Sequence, residues 1–364
     1  MRVTFTIATA DMSGGCKVVA IYARELIARG HDVLIVVPPR PQMLMRRRIR
    51  RALTGDFSHL FPEKPVSHLE LIGVPHKYLE RHRPIRSEDV PDADVIVATW
   101  WETAEWIRDF PRSKGARAYF VQGDEADLGN DRERVLRTWD LRSQKITISS
   151  WLAWLIRART NETDIALVPN AIDRDQFDAP PRAKHARPTV GLCYSSMRLK
   201  GFDVAVRALE RIRRAIPEVR VVCFSSEQPA AELPLPPGVE FEHRPAQDRI
   251  RDIYAACDVW LSASRAEGFG MPALEAMACR CPLVSTRYGG PADFVHDGDN
   301  GFLVESEDDE GLARRVLELL TASDETWQKM SNAAYVTAHS STWRDAAVGF
   351  EAALRQAISR PSDS

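Results

Sequence analysis

Glu267 and Glu275 stand eight positions apart in the stretch Arg265 to Cys281, RAEGFGMPALEAMACRC. The apolar run Val259-Trp260-Leu261 before them has the length and the β-branched or aromatic content of a buried strand. A loop from Ser264 to Gly270 follows. Pro272 suits the first helical position, where its missing N–H costs nothing, and the Ala/Leu/Met/Glu run behind it favours helix. Glu267 then lies in the loop and Glu275 one turn inside the helix. Strand, glycine-bearing loop and helix N-terminus together present unpaired N–H groups and a positive dipole end, which suits a phosphate. Carboxylates beside a phosphate repel it unless they face hydroxyl donors, and the hydroxyls of a ribose and a sugar fit acceptor-only groups. A capped helix with an exposed glutamate is the other reading that these residues allow.

The glycines and proline around the two glutamates narrow the choice. EGFGMPALE resembles the E-x7-E signature of the retaining glycosyltransferases of family 4, whose fold is GT-B. The resemblance implies that Glu267 touches the donor sugar and Glu275 holds the ribose of the nucleotide. The backbone of Gly268, Phe269, Gly270 and Met271 would then meet sugar and phosphate. It also implies an arginine and a lysine after the first strand of the same domain, binding the diphosphate. Lys200-Gly201 matches the lysine position, but Ser195 stands where the arginine is common, leaving Arg198 as the second cation. In a metal-free site such charges counter the negative charge that develops on the leaving diphosphate. By the same resemblance, the loop at Gly14 and Gly15 approaches the donor phosphate and sugar, and Arg244-Pro245 falls where the nucleobase lies. Gln122 occupies the place of a histidine that contacts the donor sugar in many members.

These residues need two domains to carry them. At 364 residues the chain is long for one core and comfortable for two α/β domains of about 100–200 residues each. Val3 to Ala8, the helix-spaced Val18, Tyr22 and Leu26, and Val33 to Val37 form a β-α-β unit whose loop lacks G-x-G-x-x-G. Val95 to Ala98, Ala118 to Val121 and Ile146 to Ser149 continue the strands. Ligands collect at the carboxyl ends of such strands, so Trp100, Trp101, Gln122, Asp124 and Glu125 are candidates for an acceptor side. Core tryptophans and solvated acids are the alternative. The proline-rich stretch between Pro38 and Asp94 shows no regular pattern. The expected division is a first domain over 1–177, a linker at 178–188, a nucleotide-sugar domain over 189–339, and a last segment, 340–364, returning to the first domain. In the second domain Thr189 to Cys193, Val219 to Phe224, Val239 to His243 and Leu283 to Thr286 are strands, and Phe202 to Ile216 is a helix with Val204, Leu209 and Ile212 inward.

Composition excludes several classes. A net charge of −2 gives no general reason for nucleic acid binding, and no window nears the roughly 20 apolar residues of a membrane-spanning helix. The N-terminus lacks the charged and apolar regions of a signal peptide, so a cytoplasmic protein is expected. The six cysteines include no CxxC pair and read as reduced, largely core residues. Asp92-Ala-Asp94 and Asp297-Gly-Asp299 have the spacing of a metal-binding pair, but their contexts read as structural, and no metal is expected. Arg46, Arg47, Arg48, Arg50 and Arg51, with Met45, Ile49 and Leu53 at helical spacing, suit an anionic membrane surface. An acidic partner, a polyanionic glycan and a solvated helix remain alternatives.

The expectation is a metal-independent retaining glycosyltransferase acting on a nucleotide-sugar donor and a glycan or lipid-linked acceptor, in cell-surface glycan or glycolipid assembly. A sugar-nucleotide hydrolase or epimerase, a natural-product glycosyltransferase and a non-catalytic nucleotide-sugar-binding protein are the alternatives.

Overall fold

A computed structural model describes residues 1–41, 66–287 and 289–360. Arg46, Arg47, Arg48, Arg50 and Arg51 lie outside the described residues. Contacts divide the chain into two compact units, one made of 1–147, 156–168 and 347–364, the other of 148–155 and 169–346.

The first unit holds a seven-stranded parallel sheet. Its strands are β1 (Arg2–Thr6), β2 (Asp32–Val37), β3 (His76–Tyr78), β4 (Val95–Ala98), β5 (Ala116–Val121), β6 (Gln144–Thr147) and β7 (Ile165–Leu167), in the order β3-β2-β1-β4-β5-β6-β7. β4 is apolar throughout and buried at every residue, the pattern of a strand covered on both faces. The helix Gly14–Ala28 carries Val18, Tyr22 and Leu26, and Ser13 caps it, accepting a hydrogen bond from the Cys16 N–H at 3.3 Å. The last helix, Trp343–Ser359, brings Phe350 onto Tyr22, with ring centroids 4.4 Å apart, and edge-on to Phe120. Within the proline-rich stretch the helix His68–Ile72 and β3 were not evident from sequence. The helix is held by a Ser67–Glu70 capping box, and β3 is a three-residue edge strand of His-Lys-Tyr with no apolar alternation.

The second unit holds a six-stranded parallel sheet. β8 (Thr189–Cys193), β9 (Arg220–Ser225), β10 (Val239–His243), β11 (Val259–Ser262), β12 (Leu283–Thr286) and β13 (Gly301–Val304) run in the order β10-β9-β8-β11-β12-β13. Val204, Leu209 and Ile212 of the helix Phe202–Ala215 are buried, as their spacing predicts, and share a core with Val190, Leu261, Leu312 and Val316. Residues 178–188 are anchored to this unit. Buried Asp258 accepts the backbone N–H groups of His185 and Thr189, both at 2.9 Å, and Lys184 donates to the Leu320 carbonyl at 3.2 Å.

In each sheet the order reverses beside the first strand of its unit, between β1 and β4 and between β8 and β11. Such reversals leave a crevice outside the carboxyl ends of the strands, where ligands bind in open α/β sheets. No helix among the described residues is long and apolar enough to cross a membrane.

Candidate functional site

Lys200 and Glu267 meet at the reversal in the second sheet. After β8, Arg198–Lys200 makes a single 3-10 turn that ends at Gly201, which has φ 62° and opens the next helix. A Cβ on Gly201 would lie 1.9 Å from the Ala263 carbonyl oxygen, so the backbones after β8 and β11 touch only because residue 201 is glycine. Lys200 Nζ then reaches both oxygens of Glu267, at 2.9 and 2.8 Å. Burial works against the ammonium, but the Glu267 carboxylate outweighs it and holds the Lys200 pKa above the ordinary lysine value. Ser264 Oγ donates to Glu267 Oε1 at 2.7 Å, and Thr286 at the end of β12 donates to the Ser264 carbonyl.

The backbone around Glu267 is held on two sides. Gly289 has φ 86°, and a Cβ there would stand 2.0 Å from the Glu267 carbonyl oxygen; one on Gly290 would stand 2.1 Å from that of Phe269. Arg265 donates to Asp203 through two nitrogens at 2.7 Å, to Glu307, and to the Arg198 carbonyl at 2.7 Å. Hydrogen bonding to Arg265 pulls the Asp203 carboxyl down to about 2, partly opposed by burial.

The helix Met271–Ala278 starts after Gly270, with φ 85° at the cap and Pro272 in its first turn. Glu275 is 9% exposed, and its Oε2 accepts from the Tyr254 hydroxyl at 3.0 Å. Gly268, Phe269, Gly270 and Met271 lie between the two glutamates, with the Phe269 ring buried. Arg198 has an exposed side chain, and its carbonyl serves Arg265. Arg244, with φ 49°, follows β10 and donates from Nε to the Ser226 carbonyl at 3.0 Å. Ser195 Oγ accepts from the Met197 N–H at 3.2 Å. Sequence reasoning did not single out the supporting roles of Ser264, Tyr254, Arg265 and Gly289, since each has an ordinary local use.

The first unit has its own pocket at the reversal between β1 and β4. A cavity of about 490 Å³ is lined by Asp11, Gly15, Trp100, Glu102, Gln122 and Glu125, among others. A Cβ on Gly15 would sit 3.6 Å from the Gln122 amide nitrogen, so the glycine loop and Gln122 are neighbours, while Gly14 begins the helix in open space. Trp100 is half-buried in this wall, whereas Trp101 points into a small cluster with Ala126 and Val135.

The D-x-D strings are engaged in structure. Asp92 pairs with Lys114 at 3.0 Å, Asp94 accepts from the Arg2 N–H at 2.7 Å, and Asp297 accepts from the Leu303 N–H at 2.9 Å. Among the described residues no group of three or more His, Cys, Asp or Glu is placed to hold a metal. All six cysteines are free thiols, five of them buried, and burial pushes Cys223 and Cys257 up to about 12.

Comparison with known proteins agrees with this architecture. Residues 188–322 match the family model of glycosyl transferases, group 1. A D-inositol 3-phosphate glycosyltransferase of Acidothermus cellulolyticus is 26% identical, over 85% of this chain and 78% of its own length. That of Xylanimonas cellulosilytica is 33% identical over 54% of this chain and 52% of its own. Among solved structures, Anabaena HepE in complex with UDP-glucose superposes with a TM-score of 0.72 at 17% identity, covering 99% of both chains. Sucrose-phosphate synthase of Thermosynechococcus elongatus gives 0.72 at 15% identity, covering 98% of both. At these identities the structural likeness is one of fold. The group 1 match lies on the unit that holds Lys200, Glu267 and Glu275, so residues 188–322 form a glycosyltransferase group 1 domain within a chain that has the GT-B fold.

Proposed function

We propose that this chain is a family 4 enzyme that moves a sugar from a nucleoside diphosphate donor to an acceptor hydroxyl, retaining the anomeric configuration and using no metal. The observation that carries the reading is the Lys200–Glu267 pair at the reversal of the second sheet, with Glu275 on the helix that follows. Lys200, with Arg198 as the second cation, faces the diphosphate. Glu267 meets the donor sugar, Glu275 accepts from the ribose hydroxyls, and the Gly268–Met271 backbone lies along sugar and phosphate. Arg244 borders the base, and the Gly14–Gly15 loop suits donor phosphate and sugar.

In the reaction the bond between the anomeric carbon and the phosphate oxygen breaks, and its electron pair stays on the phosphate. The Lys200 ammonium stabilises that charge as it develops. The acceptor oxygen bonds to the same face of the anomeric carbon, and its proton passes to the departing phosphate oxygen. No protein base is then required. The pocket at Trp100 and Gln122 takes the acceptor, since a tryptophan face suits a sugar ring.

The relatives named D-inositol 3-phosphate glycosyltransferase and the HepE complex with UDP-glucose support a nucleotide-sugar donor. The acceptor is a glycan or lipid-linked sugar of cell-surface assembly, reached in the cytoplasm at an anionic membrane. Thermal-shift screening of nucleotide sugars, then NMR of the product formed with EDTA present, tests this reading. An anomer matching the donor is expected. An inverted product refutes the family 4 mechanism, and loss of activity in EDTA refutes metal independence.

A further inference from the structure

Glu125 has no part in that chemistry, yet its placement is unusual for a carboxyl. The residue is 1% exposed beside the first unit's pocket. Its Oε2 accepts from the Trp101 backbone N–H at 2.6 Å and from the Tyr119 hydroxyl at 3.1 Å. Oε1 is buried with no hydrogen-bond partner among the described residues. The bond to Trp101 joins two separate pieces of chain. One is the turn after β4, which carries Trp100 and Glu102 into the pocket lining; the other is the loop after β5, which carries Gln122, Gly123 and Leu128 into the same lining. Each piece is also tied locally, the first by Thr103 Oγ1 accepting from Trp100 N–H at 3.1 Å, the second by Asn130 donating to the Glu125 carbonyl at 2.7 Å. The carboxyl of Glu125 bonds one wall to the other.

We propose that Glu125 is a positioning residue of this pocket: its carboxyl clamps the Thr99–Trp101 turn to the Gln122–Leu128 loop and so fixes the Trp100 ring in the pocket wall. The inference rests on the proposed function only for what the pocket binds; the clamp itself is measurable without a ligand.

The clamp closes around a neutral acid. Burial raises the Glu125 carboxyl, to about 8, while the Trp101 N–H and Tyr119 hydroxyl lower it in part and Asp124 and Glu102 push it up again. The groups facing it are Tyr119 on β5, Glu102 on the helix Trp101–Ile107, and Asp124 in its own turn, with Asp127 beside that. The helix Arg132–Trp139 supplies cations, but Arg132 pairs with Asp127 at 2.6 Å and Arg134 with Glu105 at 2.8 Å. Ionisation therefore sets a buried charge among acidic neighbours. The carboxylate must then draw water to the unpartnered Oε1, which changes the packing of the wall beside Trp100.

The test is fluorine NMR of the full chain carrying 5-fluorotryptophan, with the Trp100 resonance identified by Trp100→Phe. In the parent the Trp100 signal should titrate with a midpoint near pH 8. Glu125→Ala should broaden that signal at every pH, and Glu125→Gln, which keeps a neutral acceptor at Oε, should restore the sharp form and remove the titration. Tyr119→Phe takes away a donor that favours the carboxylate, so it should move the midpoint upward. A Trp100 signal as sharp in Glu125→Ala as in the parent, or one that stays broad in Glu125→Gln, overturns the clamp. Should Glu125→Gln fail to fold, the direction of the Tyr119→Phe shift decides. UDP titration of the parent, read separately, bears only on the glycosyltransferase reading.

Discussion

Lys200 Nζ sits within hydrogen-bond distance of both Glu267 oxygens, 2.9 and 2.8 Å, although the two residues are 67 positions apart. The pair joins the loop after β8 to the loop after β11. The Glu267 carboxylate more than offsets the effect of burial on the Lys200 ammonium and holds a cation at the reversal.

Loss of either group proposed to grip the donor should weaken nucleotide binding. Lys200→Ala and Glu275→Ala should each lower affinity for the donor's nucleotide by about 10- to 150-fold, since hydrogen bonds to charged groups are worth about 1.5–3 kcal/mol. Isothermal titration calorimetry reads this directly. Unchanged affinity in both variants would remove these residues from the site.

Glu267→Gln takes away the charge that offsets the burial of Lys200, so the Lys200 pKa should fall. Nucleotide affinity in this variant should decline with rising pH sooner than in the parent. Parallel pH profiles for the two proteins would mean that the pair does not control the charge of Lys200.

Gly289→Ala should cripple the site. The new methyl would stand 2.0 Å from the Glu267 carbonyl oxygen at a φ of 86°, a combination of clash and backbone strain that costs about 1–3 kcal/mol or more. Gly14→Ala, with nothing within 4 Å of its Cβ, is the control and should leave the thermal midpoint in place. Equal midpoints for parent and Gly289→Ala would show that the two loops are not locked together.

Acid should loosen the Arg265 clamp. Hydrogen bonding to Arg265 sets Asp203 at about 2 in the folded protein, against an ordinary value of 3.8. A depressed carboxyl adds stability above its unfolded value and loses it as pH falls, here between about 4 and 2. Asp203 is partly exposed, so screening limits the effect to about 1 kcal/mol or less. Arg265→Met should flatten that part of the stability profile in chemical denaturation. An unchanged slope would assign the acid sensitivity to other carboxylates.

Sedimentation with vesicles tests the arginine-rich segment. Parent protein should bind anionic vesicles at low salt, at about 1 kcal/mol per basic residue near the surface, and release them as salt rises. Changing Arg46, Arg47, Arg48, Arg50 and Arg51 to Gln should abolish the binding. Equal behaviour of the two proteins points to a water-soluble acceptor.

Much of the second unit was legible because its signals are local. β8, β10 and β12 occupy the spans expected from sequence, and the glycines and proline between Glu267 and Glu275 mark a loop and a helix start. What was hidden depends on partners far along the chain. Tyr254 is an ordinary helix tyrosine until Glu275 is seen beside it, and Gly289 an ordinary turn glycine until the Glu267 carbonyl fills its Cβ space. Glu125 reads as one more acid in a polar run, and only the fold shows its carboxyl sealed beneath the Trp101 N–H. The helices Asp309–Thr321 and Asp324–Ala338 were likewise not singled out, as nothing in the motif depends on them.

The close approach of Gly289 and Gly290 to the Glu267 and Phe269 carbonyls has a bearing on how sugar preference can diverge. Two interlocked main chains leave no slack for an insertion or deletion in either loop. On the proposed reading, variation in the recognised sugar comes from side chains hung on a loop of fixed length, Met271 foremost because it is only half-buried. A library that randomises such positions at constant length should retain folded members, whereas one that varies loop length should yield mostly unfolded chains.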